Sequence, residues 1–173
     1  MRRRFCGDDK TAKKLYVKPR WQKPAWELAG ATAQVIVPSS VIVSISGQLQ
    51  TQPCYNAVRL HGSSKGKLIY RQNEDKALEA GVQHHALYTD DAPMIAQGIA
   101  LLSESGKHKQ ESIKMLWSDK YRSPLAQLGA IWQVNEGSEQ WTGIVQGISI
   151  EIGSDNDAPT VWQHIVLDRY LDK

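Results

Sequence analysis

The chain has 173 residues, 41% of them hydrophobic, and a formal charge of +3. That length can bury a sizeable core in one domain with appendages or in two small ones, and no apolar run approaches the length needed to span a bilayer. Two cysteines, Cys6 and Cys54, are too few for a disulfide scaffold and cannot complete a four-thiolate metal site within one chain, so both are expected as free thiols.

The modest net charge conceals an asymmetry. Residues 1–24 carry nine basic side chains against Asp8 and Asp9, a charge of +7, which leaves the other 149 residues at −4. The first residues have the basic start of an export signal with no apolar stretch behind it, so folding in the cytoplasm is expected. Pro19 and Pro24 discourage a continuous helix, and the segment has too few apolar residues for a core of its own. Residues 1–30 are therefore predicted to be an extended basic arm that orders against a partner.

A short turn of structure at 25–28 precedes two strands, 34–37 and 41–49, separated by Pro38-Ser39-Ser40. Val41, Val43, Ile45 and Leu49 share one face of the second. A hairpin follows, with strands at 56–60 and 67–71 around the turn His61-Gly62-Ser63-Ser64-Lys65-Gly66. Residues 74–80 have helix-forming composition and Gly81 stands where a left-handed residue would end a short helix, after which 82–89 reads as extended. Asp90 as N-cap and Pro93 in the first turn open the main helix, which runs to about Ser105. Ile95, Ile99 and Leu102 form its buried stripe, and Gly98 leaves room for another element. Gly106 closes it. A strand at 112–117 then puts Ile113, Met115 and Trp117 on one face, and Ser123-Pro124 turns the chain.

The last third reads as three strands. The first is Leu128-Gly129-Ala130-Ile131-Trp132-Gln133-Val134. In the second, 141–152, Ile144, Ile148, Ile150 and Ile152 fall on one side, interrupted by Gln146, while Gly143 and Gly147 mark a bulge or bend. The third, 161–171, groups Val161, Ile165, Leu167 and Leu171 against a mixed face of Trp162, His164, Val166, Asp168 and Tyr170, suited to partial cover or to a partner. The sum is a β-rich α+β fold with one main helix.

Motifs for chemistry are lacking. His84, His85, Asp90 and Asp91 are the most tempting metal cluster, but adjacent histidines on a strand project from opposite faces and the aspartates serve the helix start. There is no nucleophile elbow, phosphate loop or dinucleotide-binding turn, and Gly62-Ser63-Ser64-Lys65-Gly66 connects two strands with no helix after it. No catalytic, cofactor-binding or metal residue is assigned, and the chain is read as a non-enzyme. Of the six tryptophans, Trp21 and Trp26 lie in or near the basic arm, where they either stack on the bases of a single strand or anchor the arm to a neighbouring surface. The second role is favoured because stacking platforms sit on sheet faces. Trp117, Trp132, Trp141 and Trp162 are read as core or interface.

The helix 93–105, the strand 111–117, the Leu128-Gly129 turn into its strand, the run Trp141-x-Gly143-x-Val145-x-Gly147-Ile148-Ser149-Ile150 and the closing Leu167-Asp168-Arg169-Tyr170-Leu171 have an informative order. Over residues 82–172 that order resembles the β-barrel domain of tailed-phage hub proteins, the ring-forming components at the distal end of the tail and in the baseplate. The resemblance implies small antiparallel β-barrels over 31–173, divisible into sub-barrels at 31–81 and 82–173. It also implies no cofactor, a virion-tail location after assembly in the host cytoplasm, and a homo-oligomeric ring, often a trimer. Such a ring would contact the tail tube or distal tail protein, the tape measure, and a spike or fibre. The chain is short for a complete hub and its basic arm lies outside the pattern, which suits one part of a split hub or a smaller baseplate component. Partner-binding residues are expected on the arm (Arg2, Arg3, Arg4, Lys13, Lys14, Lys18, Arg20, Trp21, Trp26) and on the last strand (Trp162, Tyr170). The alternative is a single-stranded nucleic-acid-binding β-barrel, contacting DNA directly through the arm.

Overall fold

The computed structural model describes residues 5–9, 14–71, 78–86, 88–117, 123–155 and 158–172. The basic N-terminal segment is extended as two strands, β1 (Phe5–Asp9) and β2 (Lys14–Lys18), paired antiparallel with Phe5 opposite Lys18 and Asp9 opposite Lys14. A 3₁₀ helix, η1 (Ala25–Gly30), follows, then β3 (Val35–Val37), a second 3₁₀ turn and β4 (Ile42–Thr51). Next come β5 (Ala57–His61), β6 (Gly66–Tyr70), β7 (Glu79–His84) and the helix α1 (Asp91–Ser103). Four strands close the chain: β8 (Lys107–Leu116), β9 (Ile131–Glu136), β10 (Glu139–Asp155) and β11 (Ala158–Tyr170).

The main sheet has the order β3-β9-β10-β11-β8-β4, antiparallel except for β3 alongside β9. One of its faces is the principal core, where Trp132, Val134, Trp141, Val145, Ile165, Leu167, Ile113 and Met115 meet. Fully burying side chains of this size is worth roughly 1.5–3 kcal/mol each. The loop 123–130 covers that face, held by the buried Gln163: its Oε1 accepts from the Ala126 N–H at 2.9 Å and its Nε2 donates to the Pro124 carbonyl at 3.0 Å.

This sheet is open, and no closed barrel forms among the described residues. β3 and β4 are its two edges. β3 and β4 run in the same direction with only residues 38–41 between them, too few for the crossover that parallel neighbours need, so β3 does not pair with β4.

The smaller sheet, β6-β5-β7, packs α1 against Val58, Leu60 and Ile69. The turn between β5 and β6 closes through Gly62 N–H to the Lys65 carbonyl at 2.7 Å, as a hairpin turn should. The buried stripe of α1 is Met94, Gly98 and Leu102, whereas Ile95 is exposed. Gly98 sets that rotation: a Cβ there would lie 2.7 Å from Ile69, so β6 sits against the glycine. Residues 79–81, expected at the end of a short helix, are instead the start of β7, parallel to β5; most of that predicted helix lies outside the described residues.

One further difference matters for the site. The β10–β11 register shifts between Val145 and Gly147, where Gln146 is the extra residue of a β-bulge. Ile144 therefore does not share a face with Ile148, Ile150 and Ile152. It points to the opposite side, where it packs with Ile131, Leu28, Ala25 and Trp21.

Candidate functional site

On the face of the main sheet opposite the principal core, the end of the predicted arm is strapped down. Ala25 and Leu28 of η1 are buried on β10 and β11, and the Ala25 N–H donates to Ser103 Oγ at the end of α1. Beside them Arg20 and Trp21 enter a polar cleft of about 140 Å³ lined also by Gln50, Gln52, Glu104, His108 and Asp168.

The centre of the cleft is a buried ion pair. His108 and Asp168 are 5% and 3% exposed, from β8 and β11. His108 Nδ1 lies 2.7 Å from Asp168 Oδ1, and Nε2 lies 3.1 Å from the Ser105 carbonyl. A carbonyl only accepts, so Nε2 donates to Ser105, and when the ring is protonated Nδ1 donates to Asp168, whose other oxygen accepts from Gln146 Nε2. Burial alone would lower the His108 pKa; the hydrogen bond and charge of Asp168, with the Ser105 carbonyl, outweigh it and hold the value above the usual 6.5.

Arg20 completes the network. Its guanidinium donates to Gln146 Oε1 at 2.6 Å and to Glu104 Oε1 at 3.3 Å, and lies 3.7 Å from Asp168 Oδ2. Gln146 shares this face with Ile144, two residues before it, and the bulge turns the strand over beyond it, so that Ile148 faces the core. Two cations and two carboxylates thus balance under a hydrophobic cover: the Trp21 ring lies 5.8 Å from His108, and Tyr170 meets it edge-on at 5.2 Å. The Tyr170 hydroxyl accepts from Arg71 at 3.2 Å, and burial, with Cys54 nearby, pushes its pKa up to about 12. The Arg71 guanidinium in turn lies 4.9 Å over the Trp26 ring.

This arrangement fastens a segment; it leaves no free base. With both His108 nitrogens engaged, the pair cannot take a proton from a substrate without breaking the clamp. Among the described residues no group of three or more His, Cys, Asp or Glu side chains could hold a metal ion. The tempting cluster is dispersed: His84 stacks on His61, His85 on Tyr88, and Asp91 pairs with Lys67 at 2.6 Å.

The expected partner residues have different settings. Arg2, Arg3, Arg4 and Lys13 lie outside the described residues, and Lys14 and Lys18 occupy the two ends of β2. Arg20, Trp21 and Tyr170 are brought together around His108. Trp21 is 5% exposed, so its ring faces protein. Trp26 is half-buried beneath Arg71, and Trp162, at the other end of β11, carries Lys114 at 5.2 Å over its ring. Sequence reasoning missed His108, Glu104 and the role of Asp168. Its one available signal was a polar residue, Gln146, inside an apolar strand.

Neither a protein-family model nor a curated protein matches the chain. Solved structures do. A tail protein from Neisseria meningitidis is 10% identical, with a TM-score of 0.48 over 91% of this chain and 48% of its own. The 43 kDa tail protein of prophage MuSo2 from Shewanella oneidensis is 11% identical, with a TM-score of 0.53 over 96% of this chain and 47% of its own. The chain thus spans about half the length of these tail proteins, and it shares its fold with part of the second.

Proposed function

We propose that this chain is a non-enzymatic structural subunit of a phage tail tip or baseplate, a hub-like ring component joining the tail tube to distal tail proteins. The observation that carries the reading is the fold it shares, across 96% of its length, with the MuSo2 tail protein. The clamp supports a mechanical role, since its groups are spent on holding the root of the basic hairpin to the sheet rather than on an open reaction site. The partners are further copies of itself and neighbouring tail proteins: the tube or distal tail protein, the tape measure, and a spike or fibre. The site of action is the virion tail, after assembly in the host cytoplasm.

Negative-stain microscopy and mass measurement of the native full chain test this. Rings, or incorporation into tail particles, are expected. A protein that stays monomeric at high concentration and in the presence of tail particles overturns the proposal.

A further inference from the structure

The main sheet has two stretches of unpaired edge that natural sheets ordinarily guard. β4 is ten residues long, pairs among the described residues only with β8, and contains neither a charge nor a proline. Its register is regular from Ser44 to Thr51, and Val43 and Leu49 are each 60% exposed. The second stretch lies on β10. β9 pairs with β10 only as far as Ile144, while β10 runs on to Asp155 with β11 alone beside it among the described residues. Along that overhang Ile150 and Ile152 are 47% and 76% exposed. Its one central charge, Glu151, is already engaged by His164 and Lys114. Exposed, uncharged edges are templates for strand addition, and the usual protections are charge, proline or shortness. The other edges of the two larger sheets have them: β3 is short and ends at Pro38, β6 carries Lys67, and β7 begins at Glu79.

The two open stretches also match. β4 is antiparallel to β8, β8 to β11 and β11 to β10, so β4 and β10 run in opposite directions. A second copy set beside the first in the same orientation therefore presents its β10 overhang antiparallel to β4. Register puts Leu49 of β4, with the partly buried Ile45, on the same face as Ile150 and Ile152, so the exposed Leu49, Ile150 and Ile152 would meet on one continuous face. We infer that β4 of one copy pairs antiparallel with the β10 overhang of the next, joining their sheets head to tail. A two-fold β4–β4 contact would leave Ile150 and Ile152 uncovered. The head-to-tail contact covers both sets and, being heterologous, repeats until the rotation closes a ring. The inference rests on the ring-subunit reading and names the surfaces that would build the ring.

The test uses the full chain and two variants, Leu49→Lys on β4 and Ile152→Lys on β10, each checked by circular dichroism and melting for a native fold. Light scattering is expected to show the wild type as a ring and each variant as a monomer. Mixed in equal amounts, the variants should form a two-subunit species and nothing larger, because each retains the one edge the other has lost. A monomeric wild type overturns the ring reading together with this pairing. Rings that persist in either variant overturn the pairing alone, as does a mixture that stays monomeric when the wild type forms rings.

Discussion

The two ends of the β10–β11 ribbon are made of the same kind of residue and have opposite fates. At the base, Ile144 and Val145, neighbours on opposite faces, are both fully buried, as is Leu167 across from them. At the tip, Ile150 and Ile152 protrude. The difference lies in what flanks them. The base has β9 on one edge, η1 on one face and the 123–130 loop on the other, whereas the tip outruns β9 and is left with β11. Alternation along a strand assigns faces, and the lengths of neighbouring strands decide which parts of those faces are buried.

If the base is a clamp and the tip a free surface, substitutions should separate them. The largest effect is expected from Asp168→Ala, which leaves the buried His108 imidazolium without its counter-ion and Gln146 without its acceptor. Removing one partner of a buried pair costs about 3–5 kcal/mol, read as a lower urea midpoint. A loss below about 1 kcal/mol would mean that the pair is not buried as described. Next is Ile144→Ala, expected to cost about 2–5 kcal/mol because the site is closed on all sides by Leu28, Ile131 and Trp21.

The clamp should also titrate. The folded-state pKa of His108 is raised, so its stabilising contribution is fully present below the unfolded value near 6.5 and is lost as the pH climbs through the raised value. Thermal stability should therefore fall on going from about pH 6 to pH 9, and His108→Gln should flatten that profile. Tyr170, at about 12, does not titrate in this window. A wild-type profile that is flat or rises over the window would remove the imidazolium from the account.

Much of this scaffold is legible in the sequence. The Gly62–Lys65 turn, the helix that starts after Asp90, and the three C-terminal strands follow from local pattern, because each depends on residues close in the chain, although the Asp90 side chain makes no capping hydrogen bond and accepts from Thr89 instead. Gly147 was legible as the mark of a bulge. Its consequence was not, since the bulge leaves Ile144 and Gln146 on the face opposite Ile148. The clamp itself was invisible for a different reason: Arg20 meets Glu104 across 84 residues and His108 meets Asp168 across 60, with no spacing that a local motif could record.

The smallest expected effect tests the tip. Ile152→Ala removes the same atoms as Ile144→Ala, eight residues further along the same strand. Ile152 is 76% exposed, so truncation opens no cavity and removes little buried area. The stability of the monomeric chain should change by less than about 0.5 kcal/mol, measured where any assembly has been dissociated by dilution. A cost approaching that of Ile144→Ala would mean that the overhang is covered within its own chain, and the contrast between base and tip would collapse. A neutral result in the monomer paired with weaker assembly would locate the role of Ile152 in contact with a second copy, since the same side chain cannot be idle in one state and needed in the other unless the second state buries it.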